Sequence, residues 1–294
     1  MFKRKIWALI RRVPIVRLLD DETYIKLQYC LYMGRRLDLR HPKDFNEKIQ
    51  WLKLYFHNPL LSVCADKFAV REYVKEKIGE RYLIPLIGVY ESVQDIPFDC
   101  LPNQFVLKAT HGSGWNIICN DKSKFDKNKA LRLMGKWLKS DFSTVGRERH
   151  YRLIRPRIVC EQYVADGSGI LKDYKLLTFR GECKYIWVDY FSPTGKRMRN
   201  FYDNNWMFQH GKGSLYPHGT GTEIPRPECL AEMLDAARRL SADFPQCRVD
   251  FYVLDNKRLL FGEMTFTSGN GLNEFYPQSF ADELGSYIDL GASK

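Results

Sequence analysis

The chain has 294 residues, of which 45% are apolar and 28% are charged, so it can bury a large core and has the composition of a globular protein. Its net charge of +11 favours polyanionic partners such as nucleotide phosphates, nucleic acid, anionic lipid or an acidic sugar. Its eight cysteines include no Cys-x-x-Cys pair, which argues against a disulfide scaffold or a zinc site and favours reduced thiols in the cytoplasm.

Residues 1–17 are basic and amphipathic. Six Lys or Arg side chains surround Ile6, Trp7, Leu9 and Ile10, and the segment is too short and too charged to span a bilayer. It also lacks the apolar core and cleavage site of a signal peptide. Two interpretations stay open: the segment rests on an anionic membrane surface, which would place the protein at the inner face of the membrane, or it is a basic helix packed on the body of the protein.

Helical patterns continue to about residue 80. Asp44 and Glu47 have the spacing of a capping box, and the helix after them should end at Asn58-Pro59. Asp66 is predicted to cap a second helix over residues 67–78, which should stop at Gly79. A further helix is predicted over residues 130–140 and another over residues 227–242.

Strand patterns begin at Tyr82, and the most informative run covers residues 104–119. Its first strand ends at Lys108, and a small, flexible loop leads into the returning strand. The loop consists of Thr110, His111, Gly112, Ser113 and Gly114. Glycines let backbone N–H groups cradle phosphate oxygens, and a lysine adds a point charge. The loop matches neither a Walker A nor a dinucleotide fingerprint, and a plain glycine hairpin is the alternative.

Three more segments carry candidate functional residues or a candidate loop. Residues 157–164 form an apolar strand interrupted by Glu161, which could accept a hydrogen bond from an adenine amino group or else face solvent at a sheet edge. Two strands follow, with Asp173 and Lys175 on one face. Residues 200–221 are rich in Gly, Asn and aromatics and are predicted to form a long functional loop, whose two histidines are more typical of surface residues than of metal ligands.

Residues 248–271 predict a hairpin with an unusual acidic pair. If Asn256 and Lys257 form a two-residue turn, the register places Asp250 directly opposite Glu263. A change of one residue in the loop length would spoil this register.

The acidic pair needs a counter-charge. Cross-strand neighbours lie about 5 Å apart, and at an effective dielectric near 20 the repulsion is roughly 3 kcal/mol. Mg²⁺ held by the carboxylates and by phosphate oxygens would neutralise Asp250 and Glu263. The alternative is a solvated sheet face on which both carboxylates meet water, Lys or Arg. The same register places Arg248 opposite Thr265.

Taken in chain order, these signals resemble the ATP-grasp superfamily, and most closely its TupA-like branch, which is associated with cell-surface polysaccharide and teichuronopeptide synthesis. The stretches that carry the resemblance span roughly residues 41–290 and are FNEKIQWLKLY, DKFAVREYV, YLIPLIGVY, QFVLKATHGSG and RVDFYVLDNKRLLFGEMTF. The resemblance implies an α+β ATP-grasp fold in which two α+β lobes clamp a nucleotide. The lobes would cover residues 61–165 and 166–294, after a basic helical region at residues 1–60.

The resemblance also implies roles for individual residues. The nucleotide would be held by Lys108, the lid residues Thr110, His111, Gly112, Ser113 and Gly114, the adenine-site residues Glu161, Tyr163 and Val164, and Asp173 and Lys175. Metal ligands would be Asp250, Glu263 and Thr265. Arg248 and Lys175 would stabilise the transferred phosphoryl group, while the backbone of Gly269 would donate to a developing oxyanion.

The implied function is an ATP- and Mg²⁺-dependent carboxylate–amine ligase that forms an amide through an acyl-phosphate. Its partners would be an amino acid or amine and a uronic acid of a surface polysaccharide or its precursor. The chain departs from the wider superfamily where Glu263-x-Thr265 replaces Glu-x-Asn, since a hydroxyl is a poorer metal ligand than an amide oxygen. Its helical start also replaces the usual N-terminal α/β domain.

Two other functions stay open. One is a glycosyltransferase of the same pathway, although the sequence contains no Asp-x-Asp metal motif. The other is a basic nucleic-acid-binding module, although no known motif of that kind is present and the glycine loop would then have no role. We therefore expect no nucleic-acid partner.

Overall fold

The structure, a computed structural model, describes residues 2–11, 13–166, 171–192, 194–214, 217 and 223–291. Six helices of this part precede the first strand: α1 (Phe2–Ile10), α2 (Pro14–Leu18), α3 (Asp21–Met33), α4 (Phe45–Tyr55), α5 (Leu60–Ala65) and α6 (Val70–Lys77). Within the same described ranges, no helix is both long enough and apolar enough to cross a membrane.

The remaining elements form two main sheets with helices. The first sheet contains β1 (Leu86–Tyr90), β2 (Phe105–Ala109), β3 (Asn116–Cys119) and β4 (Ile158–Gln162), with α7 (Lys127–Leu138) and α8 (Ser143–Gly146) between the last two. The second contains β5 (Asp173–Phe179), β6 (Glu182–Phe191), β7 (Arg197–Asp203), β9 (Cys247–Leu254) and β10 (Arg258–Thr265). Four further elements are α9 (Leu230–Ser241), α10 (Gln278–Ser286) and the short paired strands β8 (Gly213–Ser214) and β11 (Phe275–Tyr276).

Both main sheets are antiparallel. Their strand orders are β1-β4-β2-β3 and β10-β9-β5-β6-β7. Helices α5, α6 and α9 pack on one face of the five-stranded sheet, where Val74 and Met233 contact the same core as Val249. Helices α4 and α10 cover part of the opposite face, where Trp187 and Phe201 are buried. The predicted lobe boundaries after residues 60 and 165 stay predictions.

The predicted N-terminus of α4 is confirmed, but that of α6 is wrong. Asp44 accepts a hydrogen bond from the Glu47 N–H at 2.9 Å, as a helix cap does. Asp66 instead makes a turn between α5 and α6, because its Oδ1 accepts from the N–H groups of Phe68 and Ala69, and the helix begins three residues later than residue 67. A side chain that accepts from the next two or three N–H groups stabilises a turn as well as a cap.

The loop predicted over residues 200–221 is wrong at its start. Asn200, Phe201 and Tyr202 are buried in β7, which forms the edge of the five-stranded sheet. Glycines and polar residues further along the segment favoured a loop. The residues of β7 alternate only weakly between apolar and polar, so the sequence did not indicate this strand. Residues 215, 216 and 218–221 of the segment, with His218, lie outside the described part.

The acidic hairpin has the predicted pairing with a different loop. Leu254 pairs with Arg258, so residues 255–257 form a three-residue turn rather than the predicted two-residue turn. A β-bulge at Gly262 then shifts the register by one residue, and Asp250 lies opposite Glu263 as predicted. The extra loop residue and the bulge cancel, which leaves both carboxylates on the same face of the sheet.

Candidate active site

A cleft lies between the two sheets and contains a cavity of about 370 Å³. Residues 113–116, from the loop between β2 and β3, form one wall. The other wall is the face of the five-stranded sheet that carries Lys175, Asp250 and Glu263. Lys108, Lys175, Asp250 and Glu263 therefore face one space, and Thr265, the third predicted metal ligand, does not line it.

Charged side chains cross this sheet in register. Glu263 pairs with Asp250, Asp250 pairs with Lys175, and Lys175 pairs with Trp187. The ammonium of Lys175 donates to Asp250 Oδ2 at 2.6 Å and also to Asp173. Because directly opposed residues share a face, three adjacent strands place charged side chains on the floor of the cleft, and Trp187 of the fourth lies beside them.

Arg248 neutralises the acidic pair in this structure. Its Nε and Nη2 donate to the two oxygens of Asp250 at 2.6 Å each, and Nη2 also donates to Glu263 Oε1 at 3.0 Å and to Thr265 Oγ1 at 3.0 Å. Asp250 is only 2% exposed, whereas the side chain of Glu263 is 36% exposed, so both carboxylates meet Arg248 but only Asp250 does so away from solvent. Arg248 and Lys175 thus occupy the positions of the counter-charge that the sequence required.

The pKa values of the acids follow from this arrangement. Burial acts to raise the pKa of Glu263, but Arg248 and the nearby lysines outweigh it and hold the value at about 2. Burial raises the pKa of Asp173 to about 6, against the effect of Lys175 and with that of Asp250. At neutral pH both side chains are therefore carboxylates. The pKa of Asp173 lies just below neutral pH, whereas that of Glu263 lies far below it.

The glycine loop divides into an anchored half and an exposed half. Thr110 is fully buried and its hydroxyl donates to the Arg155 carbonyl at 3.0 Å, while His111 donates through Nε2 to the Trp137 carbonyl at 2.8 Å. Ser113 and Gly114 line the cleft instead. The structure therefore brings only the second half of the predicted phosphate loop to the cavity.

A side chain that sequence reasoning did not select as a site residue completes the basic lining. Lys67 lines the cleft beside Lys108, and its Nζ donates to the Gly112 carbonyl at 2.5 Å. Burial lowers the pKa of Lys67, partly offset by the charge of Glu263. The sequence predicts Asp66 and Lys67 at the start of a helix, and no local pattern indicates that Lys67 lies beside a loop 45 residues away.

The predicted adenine-site residues are only partly assembled. Glu161 Oε2 accepts from Lys108 at 2.6 Å and its Oε1 accepts from Arg71 at 3.3 Å, at the edge of a smaller cavity beside β10. Tyr163 and Val164 follow the end of β4, partly buried, in the connection between the two sheets. They line neither of these two cavities as described, and their contact with adenine stays a prediction.

Helix α4 holds the segment that carries Gly269. Residues Gly269, Asn270 and Gly271 all have left-handed backbone conformations, with φ of 58°, 60° and 65°, which costs free energy at a non-glycine residue. The Gln50 amide donates to the carbonyls of Asn270 and Gly271 at 2.9 Å each, and Lys53 donates to Asn270 Oδ1 at 2.6 Å. The helical N-terminal region therefore fixes one wall of the cleft.

The donor set fits Mg²⁺ held jointly by protein and phosphate. Among the described residues, no group of three or more His, Cys, Asp or Glu side chains is placed to hold a metal. Asp250 and Glu263 supply two hard oxygen donors, and Mg²⁺ commonly takes its other ligands from phosphate and water. Thr265 donates its hydroxyl toward Glu263 Oε1 at 3.3 Å, so its role as a ligand stays a prediction.

Two antiparallel α+β units that enclose a charged cleft, with paired carboxylates on a hairpin of the larger sheet, define an ATP-grasp fold. Residues 47–289 match the family model described as TupA-like ATP-grasp. The chain therefore belongs to the TupA-like ATP-grasp family. Comparison with curated proteins gives no match.

Solved structures of several ligases are also similar to the chain. An L-amino acid ligase from Bacillus licheniformis matches with 12% identity and a TM-score of 0.48 over 87% of this chain and 57% of its own. A D-alanine–D-alanine ligase from Bacillus anthracis matches with 14% identity and a TM-score of 0.41 over 70% and 57%. An N5-carboxyaminoimidazole synthetase from Staphylococcus aureus matches with 14% identity and a TM-score of 0.36 over 69% and 44%. The chain thus spans about half the length of these proteins.

We predict that the free energy of unfolding of Arg248→Met depends less on pH in the acid range than that of the wild type. Because the pKa of Glu263 lies below its usual value of 4.5, its ionisation stabilises the fold above about pH 4.5, and this contribution is lost as the pH falls toward 2. Removing the guanidinium should cost roughly 3 kcal/mol at pH 7. Urea denaturation of both proteins between pH 3 and pH 7 should show the difference shrinking on acidification.

The control is Arg258→Met, because Arg258 is exposed and begins β10, the strand that carries Glu263. Its effect on the free energy of unfolding should be small and independent of pH. A difference between wild type and Arg248→Met that stays constant from pH 7 to pH 3 would contradict the assignment of Arg248 as the counter-charge of Glu263.

Proposed function

We propose that the chain is an ATP- and Mg²⁺-dependent carboxylate–amine ligase. One observation carries the proposal: Asp250 and Glu263 are opposed on the floor of a cleft whose basic side chains, Lys67, Lys108, Lys175 and Arg248, all face the same cavity. Paired carboxylates suit a Mg²⁺ ion, and the surrounding cations suit the phosphates that would share it. Phosphoryl transfer depends on such positioning and charge neutralisation and needs no protein nucleophile.

In this proposal each side chain has a defined task. Asp250 and Glu263 hold Mg²⁺, which when bound neutralises charge on the phosphates. Lys108 and Lys175 contact phosphate oxygens, and Ser113 and Gly114 lie over them as the lid. Arg248 turns from a counter-ion of the acids into a donor to the transferred phosphoryl group. The substrate carboxylate would become an acyl-phosphate, and the amine would then displace the phosphate to form an amide.

Mg²⁺–ATP should raise the melting temperature of the wild type and not that of Asp250→Asn or Glu263→Gln. A ligand at a hundred times its Kd stabilises a protein by about 2.7 kcal/mol, which thermal denaturation resolves easily. The control is Asp235→Asn, a half-exposed carboxylate on α9, which should keep the full shift. A full shift in both cleft variants would contradict the proposed metal site.

The products of the reaction give a second test of the same proposal. Turnover should release ADP and phosphate only when a carboxylate and an amine are both present. Formation of AMP, or turnover in EDTA, would rule out this ligase chemistry.

We further propose that the carboxylate substrate is a uronic acid of a surface polysaccharide or its precursor, bound at the β7 end of the cleft. Arg197 and Arg199 lie there, on the second strand over from the strand that carries Lys175. Arg197 donates to Asp189 at 2.7 Å, and Arg199 holds both oxygens of Asp189 at 2.6 and 2.8 Å. Trp115 of the opposite wall offers an aromatic face for a sugar ring.

Arg197→Gln should weaken binding of galacturonate by at least about tenfold, because a charge-assisted hydrogen bond is lost. The Arg197 side chain is 41% exposed, so the fold should tolerate the change and the shift with Mg²⁺–ATP should stay unchanged. Calorimetric titration of galacturonate in the presence of Mg²⁺ and a non-hydrolysable ATP analogue measures the effect. Arg238→Gln on α9 is the control, and equal affinities of all three proteins would contradict this acceptor site.

We also propose that residues 1–17 and their neighbours contact the inner face of an anionic membrane while the body of the protein lies in the cytoplasm. Trp7 is 3% exposed and packs edge-on against Tyr24 at 5.0 Å between ring centroids, so one side of α1 rests on the body of the protein. Leu9, Ile15 and Leu18 are nevertheless 65%, 69% and 84% exposed. Exposed leucine and isoleucine side chains among basic residues favour an anionic lipid surface.

Replacing Leu9, Ile15 and Leu18 together by serine should weaken binding to vesicles of phosphatidylcholine and phosphatidylglycerol by about a hundredfold, at about 1 kcal/mol for each side chain that leaves the lipid. Co-sedimentation with the vesicles measures this. The control is Ile118→Ser, at a residue 59% exposed on β3. Equal binding of the triple variant and wild type would contradict the proposed contact.

A further inference from the structure

A second cavity, of about 270 Å³, lies behind the segment that forms one wall of the cleft. Phe266 and Thr267 line this cavity, whereas Gly269 and Asn273, a few residues further along, line the cleft. One short segment therefore separates the two spaces. None of the roles assigned above to the nucleotide, the metal or the acceptor uses the second cavity.

Its walls are apolar with a few buried polar groups. The apolar part is formed by Leu52, Phe56, Leu61 and Phe266. Gln246 also lines the cavity and is 2% exposed, and among the described residues neither polar atom of its amide has a hydrogen-bond partner. A buried amide without partners costs free energy, so this site would gain stability from a ligand with a neutral hydrogen-bonding group.

The charges at the cavity favour an anion. Lys53, Arg149, His57 and His150 line it, and within the described chain no Asp or Glu does. Burial lowers the pKa of His150 to about 3, so this histidine stays neutral across the pH range used below. Lys53 Nζ donates to Gln50 Oε1 at 2.8 Å and to Asn270 Oδ1 at 2.6 Å, which uses two of the three donors of an ammonium. Among the described residues no partner uses the third donor.

The nearest acids do not reverse this balance. Asp21 is shared by Arg147, Arg149 and Arg152 at 3.4, 3.0 and 3.2 Å. Glu148 accepts a hydrogen bond from Thr267 and lies close enough to Lys53 to interact with its charge. Including these neighbours, cationic side chains outnumber carboxylates around the cavity.

We infer that this cavity binds a small organic anion with an apolar body and a neutral hydrogen-bonding group, and that its occupancy is coupled to the cleft through Lys53 and residues 268–273. The anion would take the third donor of Lys53, and its neutral group would pair with Gln246. Because Lys53 also holds Asn270, a ligand on the ammonium changes the contact that fixes the left-handed segment of the cleft wall.

The pH dependence of binding has a defined sign. Burial lowers the pKa of Lys53 to about 8, against the opposing effect of Glu148. An anion binds the protonated amine, so its affinity should be highest below pH 8 and should fall by about tenfold between pH 7 and pH 9 as the amine loses its proton. A neutral ligand of the same shape should show no such change.

The test uses adipamate, which carries one carboxylate and one amide, and the neutral diamide adipamide as a matched probe. Calorimetric titration of the full chain should show binding of adipamate that weakens about tenfold from pH 7 to pH 9, and little binding of adipamide. Lys53→Met should abolish the binding of adipamate, and the surface control Lys139→Met should not. Leu61→Trp adds bulk to the cavity wall, leaves Lys53 in place and should also abolish it, which covers the case in which Lys53→Met does not fold.

Three outcomes would overturn the inference. The first is that adipamate does not bind, and the second is that adipamide binds as tightly as adipamate. The third is that adipamate still binds Leu61→Trp but no longer binds Arg197→Gln, which would place the ligand in the cleft. Coupling is measured as a change in the Kd of Mg²⁺–ATP with saturating adipamate in the wild type and not in Leu61→Trp. An unchanged Kd would overturn the coupling. This last arm alone rests on the proposed nucleotide site, so its failure is distinguishable from failure of the cavity itself.

Discussion

The arrangement of the cleft depends on one guanidinium between two opposed carboxylates. Without a cation, Asp250 and Glu263 would repel each other on a largely buried surface, and Arg248 removes that cost by bonding both. The same bonds restrict Arg248 to the hairpin floor, where the proposed phosphoryl group would arrive. In the proposed function the residue that compensates the acids also meets the transferred phosphoryl group, and a donor already held in place needs little reorganisation when a negative charge appears.

The helical N-terminal region contributes to the same site from outside the cleft. Asn46, Gln50 and Lys53 lie at i, i+4 and i+7 on α4 and so share one face of the helix. All three bond the segment at residues 270–273. A segment with three consecutive left-handed residues has little conformational preference for that shape by itself, so the helix supplies the free energy that holds it. Removal of this region would therefore loosen the cleft even though it contributes none of the predicted ligands.

The sequence carried the local features of the fold better than the long-range ones. The Asp44 cap depends on residues close in sequence, so the pattern was sufficient for it, whereas the pairing of Asp250 with Glu263 was predicted correctly although the turn length was wrong. Gly262 did carry a signal, since an isolated glycine in a strand suggests a bulge, but the bulge cancelled an error in the turn and left the pairing intact.

The missed contacts were long-range. Lys53 and Asn270 are 217 residues apart, and Lys67 meets the glycine loop across 45 residues. A periodic pattern in the sequence cannot indicate contacts between residues so far apart in the chain.

The basic residues of the cleft already have partners, which sets a limit on how binding can gain free energy. Lys108 bonds Glu161, and Lys175 bonds Asp173 and Asp250, so an incoming phosphate must exchange one ion pair for another instead of meeting free cations. The net gain per contact is smaller than the isolated charges suggest, because buried pairs have already been desolvated and satisfied. Specificity then follows from geometry: only a ligand that restores a partner to every displaced group avoids leaving a buried carboxylate uncompensated. In the proposed function a Mg²⁺–nucleotide would meet this condition at Asp250, which would exchange Lys175 for the metal while the phosphates pair with the lysines. A simple anion of the same charge would pair with the lysines but would offer Asp250 no new cation in place of Lys175.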